Sequence, residues 1–289
     1  MDFTFLIGQA LTNGLIIGLL YLLMAIGFTL VFGVMRVVNF AHGEFYMLGA
    51  FLAYVCVTRL QLPFLAAVLA TFAVTLVAGW IIEVLVLKGF RGNELNGMIS
   101  TIGLAMVLQN GALLVFGPDP QSMPPVAEGV VSLGPIVLPM SRLYVVAFSI
   151  AVLVLLYLFL MHSKGGRALR AVVQDTEIAS AQGIRSHLMY PLGFGIGVAL
   201  AAVAGALMAP VFSVSPSIGS TPLLKAFIVV ILGGLGSIPG AALASLLLGV
   251  VESAANTFMS SSMSDMLLFG FVILMLIFRP SGLLGKSGR

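Results

Sequence analysis

Three polar side chains able to do acid–base or ligand chemistry fall close together in an apolar stretch: Asn39, His42 and Glu44 in NFAHGEFYMLGAF. An imidazole and a carboxylate two residues apart can pass a proton, hold part of a metal shell or line a polar path. They are too few for zinc, and His162 and His187 stand in a distant charged segment, so no metal site is assigned. Arg36 and Arg59 flank the stretch 23 residues apart, about 34 Å if helical. Asn39, His42 and Glu44 therefore lie in the inner part of a membrane, where ionisable groups usually face a bundle interior or a water-filled path. Gly43 predicts a local break that leaves Glu44 in the first turn of the next helix. Unpaired N–H groups and the helix dipole stabilise an acid there, and this capping role weighs about equally with a role in transport. Farther on, Glu252 and Asn256 stand four apart and are expected to pair on one helix face.

Catalytic signatures are missing. RPSGLLGKS resembles a phosphate loop, but Pro280 occupies the position that requires glycine. HExxH and GxSxG are absent, and no Ser/His/Asp grouping stands out. The chain is therefore expected not to be an enzyme and to bind no cofactor, and any work driven by ATP needs the nucleotide site on another polypeptide.

The elements that must position these residues are membrane helices. The chain is 60% hydrophobic and only 8% charged, against about 25% charged in a soluble domain. Its continuous apolar runs suit helices rather than the short alternating segments of a barrel. The expected fold is an all-α integral membrane protein, a polytopic bundle of roughly eight transmembrane helices. The uncertain element is 224–258, where GGLGSIPG interrupts the apolar run and predicts a re-entrant or broken helix at membrane depth. The first residues lack the basic start of a cleavable signal and are expected to stay in the mature protein. The lone Cys56 excludes an internal disulfide. A net charge of +3 spread over so few charges concerns membrane lipid and sidedness, not nucleic acid.

The one long polar stretch, 162–190, carries Lys164, Arg167, Arg170 and Arg185. At helical spacing Ala168, Leu169, Val172, Val173, Thr176, Ala179 and Ser180 form a stripe that must lie against something, either headgroups or a soluble partner. The small Ala179, Ser180, Ala181 and Gly183 favour the partner. With this stretch in the cytoplasm and alternation from there, ten Lys and Arg fall inside and three, Arg59, Arg142 and Lys225, outside. The positive-inside rule then puts the N-terminus outside and the C-terminus inside. Two ridges of small residues, Gly193/Gly197/Ala201/Gly205/Ala209 and Ala241/Ser245/Gly249/Ser253, predict close helix packing first and a pathway lining second.

Together, NFAHGEFYMLGAF, GGRALRAVVQD with ASAQGI, GGLGSIPGA and RPSGLLG, in this order over nearly the whole chain, resemble the inner-membrane permease subunit of bacterial branched-chain amino acid (Liv-type) ABC transporters. The resemblance implies a single transmembrane permease domain over 1–289, with a cytoplasmic coupling segment at 162–190 and an external loop at 117–142. It implies that Gly166, Arg167, Arg170, Asp175, Ala181 and Gly183 dock on an ATPase subunit, although the opening Glu-Ala-Ala of the related importer motif is not kept. The implied partners are a second, related permease chain, two ABC ATPase subunits that hydrolyse the ATP, and a periplasmic substrate-binding protein. Asn39, His42, Glu44, Glu252 and Asn256 are the candidate pathway residues. Urea, short amides or other amino acids are alternative cargoes. A channel or ion-coupled carrier is the alternative class, disfavoured by the lack of an ordered row of intramembrane acids.

Overall fold

The computed structural model describes residues 3–133, 136–279 and 282–284. Lys286, Arg289 and part of the terminal motif (Pro280, Ser281, Gly285) lie outside the described residues, as do Gly134 and Pro135 of the external loop. The helices are α1 (Phe3–Met35), α2 (His42–Tyr54, continued by a π turn Val55–Arg59), α3 (Phe64–Ile82, continued to Phe90), α4 (Glu94–Phe116) and α5 (Met140–His162). They are followed by α6 (Lys164–Gln174), α7 (Thr176–Ala181), α8 (Ser186–Met208), α9 (Ser220–Gly233), α10 (Ile238–Phe258) and α11 (Ser261–Phe278). Among the described residues, seven helices are long and apolar enough to cross a membrane, all but α2, α6, α7 and α9. One antiparallel hairpin, β1 (Val130–Leu133) and β2 (Ile136–Pro139), pairs Val130 with Pro139 inside the 117–142 loop.

At the centre stands α8, in which every residue from Gly193 to Leu207 is buried. A helix apolar all round belongs inside a bundle, and α1, α2 and α3 pack around it. The outer helices α3, α4, α5 and α11 leave Leu85, Leu114, Leu155 and Phe278 exposed, since lipid gives such side chains no reason to hide. The small-residue ridges serve packing. A Cβ on Gly205 would strike the Tyr46 carbonyl oxygen, one on Gly49 the backbone of Ala202, and one on Gly249 the backbone of Gly14 and Gly18. Gly205→Val must therefore force α2 and α8 apart. It is expected to cost about 3 kcal/mol or more, read as a lowered melting temperature in detergent.

The predicted interruption at GGLGSIPG separates α9 from α10, and two further breaks lie elsewhere in the bundle. The left-handed Arg36 (φ 56°) ends α1, and the chain stays non-helical to Ala41. There the Asn39 side-chain oxygen accepts the Ala41 N–H (3.1 Å) and the Asn39 carbonyl accepts the His42 N–H (3.3 Å), starting α2. Gly43 is thus not the break. It lies inside α2, where its missing side chain admits the Gly219 carbonyl. The second break is 209–219. Val214 exchanges two backbone hydrogen bonds with Gln121 of the 117–142 loop (2.7 and 2.8 Å), after which the chain runs back into the bundle to Gly219 and α9.

The turn between α9 and α10 is not at mid-depth. Leu283 and Leu284, beyond α11, donate backbone N–H bonds to Leu232 and Gly233, so this turn sits level with the C-terminal end of α11. The 224–258 region is a short helix followed by a full-length one.

Candidate functional site

At the start of α2 the predicted polar trio is enclosed. His42 is fully buried, its Nε2 3.1 Å from the Met24 carbonyl and its ring edge-on to Phe28. Met24 precedes Met35, the end of α1, by eleven residues, about 16 Å along the axis, so His42 lies deep in the membrane. Glu44 occupies the first turn of α2, as expected. Asn39 acts in the turn that launches the helix. Asn39 Nδ2, His42 Nδ1 and Glu44 Oε2 are buried and have no hydrogen-bond partner among the described residues. Leaving such groups unpaired costs about 1–3 kcal/mol each, and six residues of chain concentrate three of them.

Glu252 does not pair with Asn256. Its carboxylate accepts the Tyr21 hydroxyl (3.0 and 3.2 Å) and lies 3.3 Å from Lys225 Nζ. Lys225 also reaches Asp265, at 2.5 Å. Sequence placed Lys225 outside the membrane, yet its side chain is only 2% exposed, against 12% for Glu252 and 45% for Asp265. It stands eight residues before the end of α9, about 12 Å along the helix. The ammonium thus ties α9 to both α10 and α11, with Tyr21 of α1 as a fourth member. This group was missed, although its signal was present. Lys225 interrupts an apolar run, and Glu252 and Asp265 are the only carboxylates after Tyr190, so an intramembrane cation had just two acids to meet.

The polar stretch 162–190 folds as α6 and α7, hinged at Asp175. Its stripe lies mainly against this chain itself, with Ser180 left exposed. Leu169, Val172 and Ala179 are buried against this chain's own bundle, with Val173 over Gly33 and Leu169 over Gly193. Arg36 Nη2 donates to the Val173 carbonyl (3.2 Å), and Arg91, paired with Glu83, stacks 4.2 Å from the Tyr190 ring centre. The segment is therefore clamped near its middle by Arg36 and at its C-terminal end by Arg91.

Of the six predicted docking residues, Gly166 is buried, because a Cβ there would strike the Phe159 and Leu160 backbone. Arg170 is half-buried, and its Nε has no partner among the described residues. Arg167 is exposed, its Nη1 donating to the His162 carbonyl at 3.0 Å. Asp175 caps α7, accepting the Glu177 and Ile178 N–H groups, both at 2.9 Å. Gly183, at φ +83°, closes α7 in a Schellman turn, with Ile184 N–H to the Ala179 carbonyl and Gly183 N–H to the Ser180 carbonyl. Its role is backbone handedness rather than close approach, since open space surrounds it. The outward surface is Glu177, Ile178, Ala181, Gln182 and Gly183, with Ile178 59% exposed.

These features define a multi-pass helical membrane protein with buried polar groups at depth and a charged, two-helix platform at one end. Residues 10–277 match the family described as the permease component of branched-chain amino acid transport systems, and the chain belongs to that family. It is similar to the high-affinity branched-chain amino acid transport system permease protein BraD of Pseudomonas aeruginosa, 38% identical over 293 residues, 96% of this chain and 95% of that protein. The corresponding permease LivH of Escherichia coli K12 is 34% identical over 295 residues, with the same two coverages. LivM of the same organism is 28% identical over 308 residues, 97% of this chain and 71% of that protein. No solved structure matches.

Proposed function

We propose that this chain is one permease subunit of an ATP-driven importer of branched-chain amino acids in a bacterial inner membrane, with its N-terminus outside and its C-terminus in the cytoplasm. The observation that carries the reading is the match to named branched-chain amino acid permeases over 96% of the chain. The second permease chain is related but different, as the parallel similarity to LivH and LivM suggests. One of two ATPase subunits docks on the face carrying Ile178, and a periplasmic binding protein delivers cargo on the side of the 117–142 loop. This chain binds no nucleotide itself. ATP-driven closure of the ATPases moves α6 and α7, and the clamps at Arg36 and Arg91 pass that motion to α1, α8 and the polar start of α2.

The test is co-expression with a tagged neighbouring ATPase subunit and purification through the tag, followed by leucine uptake into proteoliposomes with the binding protein. Recovery of the permease and uptake that needs ATP but no ion gradient support the reading. Well-folded permease that fails to co-purify and takes up solute on an ion gradient alone would replace it with the carrier class. Within the importer, Glu44→Ala is expected to lower uptake by about tenfold with ATPase recovery unchanged. Equal uptake by wild type and variant would reduce Glu44 to a helix-end residue.

A further inference from the structure

A cavity of about 270 Å³ opens at the end of the bundle opposite α6 and α7, just below the ~300–1,000 Å³ usual for small-molecule sites. Its polar wall is Asn13, Arg142, Ser253, Asn256 and Thr257, and its apolar wall includes Ile16, Ile17, Leu20, Val145 and Met208. Asn13, Arg142 and Asn256 lie nearer the mouth than Ile17 and Leu20, with Met208, Val211 and Phe212 also at the outer level. Arg142 is the third residue of α5 and Asn256 the third from the end of α10, whereas Ile17 and Leu20 lie one to two turns farther along α1 than Asn13.

Arg142 donates one Nη1 bond to the Asn13 side-chain oxygen. Among the described residues it has no carboxylate partner, and no acid lines the cavity. A guanidinium carries five donors in a planar fork suited to a carboxylate, so donors beyond the Asn13 bond remain for a ligand. Asn256 and Thr257 line the same cavity and supply acceptors, the Thr257 hydroxyl donating to the Ser253 carbonyl, and the aliphatic floor has no polar demand.

We propose that this cavity is an outer cargo site for an α-amino acid with an aliphatic side chain. The carboxylate meets Arg142, the ammonium meets the Asn256 and Thr257 oxygens, and the side chain occupies the Ile17/Leu20 floor. The proposal rests on the import reading and adds to it a size-selecting site within this chain, apart from the binding protein and from the buried trio at α2.

The test uses the complete transporter in proteoliposomes with one binding protein and three cargoes it carries: alanine, valine and leucine. Ile17→Trp, which fills the floor, is expected to lower leucine uptake relative to alanine by about tenfold, the scale of a methylene-sized mismatch in an apolar pocket. Ile17→Ala, which removes floor contacts that only a longer side chain reaches, is expected to lower leucine uptake relative to alanine by several-fold. Arg142→Gln is expected to lower uptake of all cargoes while ATPase recovery holds, with only partial rescue by Arg142→Lys, whose ammonium lacks the fork. Should Ile17→Trp fail to assemble, the cargo ratio in Ile17→Ala decides. Unchanged cargo ratios in an assembled, active Ile17 variant would overturn the site while wild-type uptake still upholds the importer. Absence of ATP-driven uptake by the wild type would overturn the importer reading and this proposal with it.

Discussion

Lys225→Met is expected to lower the melting temperature in detergent sharply and to cut the yield of folded protein. Methionine keeps the apolar stem but removes the ammonium, stranding Glu252, 12% exposed, inside the bundle and leaving the more exposed Asp265 without its cation. Removing one partner of a buried ion pair costs about 3–5 kcal/mol, because the remaining charge is left uncompensated. The cost belongs mainly to the orphaned Glu252, so most of it should disappear when the acids are neutralised. The triple variant K225M/E252Q/D265N is expected within about 2 kcal/mol of the wild type, as replaced buried pairs often are. Thermal unfolding of the wild type and the two variants separates the cases. A single variant as stable as the wild type would show that the cluster does not hold α9 to α10 and α11.

Ile178→Glu carries the largest expected functional effect. Ile178 is 59% exposed at the middle of α7, an unusual place for a large aliphatic side chain beside Glu177 and Gln182 unless another surface covers it. A central apolar anchor of a protein interface is worth about 2–4 kcal/mol. Loss of ATPase co-purification and a fall in uptake of at least about 30-fold should follow, with insertion and melting temperature unchanged because the side chain makes no internal core contact.

Gly183→Val tests the neighbouring turn by a different route. It forces a β-branched residue to φ +83°, at roughly 1–2 kcal/mol, and should loosen α7 itself. Reduced docking with altered protease sensitivity near Gly183 is the expected signature of that variant, whereas Ile178→Glu should leave proteolysis as it was. If Ile178→Glu keeps full recovery, the outward face of α7 is not the docking surface.

The class of protein, the helical runs, the polar segment and the family resemblance were all legible in the residues. Composition and run length are local properties, and a membrane allows few solutions to them. Depth was also legible for Asn39, His42 and Glu44, because two arginines bracket them. Partnership was not. Whether Glu252 meets Asn256 on its own helix or Lys225 on another depends on how α9, α10 and α11 are rotated. Spacing of four along one helix says nothing about a neighbour 27 or 13 residues away.

The same reason explains the misplaced break. GGLGSIPG does interrupt the helix, between α9 and α10, whereas Gly43, read as a break because glycine permits one, does not; a helix unwinds where its backbone groups find other partners. The left-handed Arg36 and the Asn39 side chain supply that condition at 36–41. Pairing with the chain beyond α11 holds the GGLGSIPG turn level with the end of that helix. The stripe on α6 and α7 was likewise correctly read as needing a surface, and only packing showed that the surface is this chain's own bundle. By itself the sequence determined what each segment is and how far it reaches, since those follow from side-chain chemistry and 1.5 Å per residue. Which polar groups meet, and which face stays free for a partner, was decided by helix rotation and close approach at glycine crossings such as Gly49 with Ala202, which exist only once the helices pack.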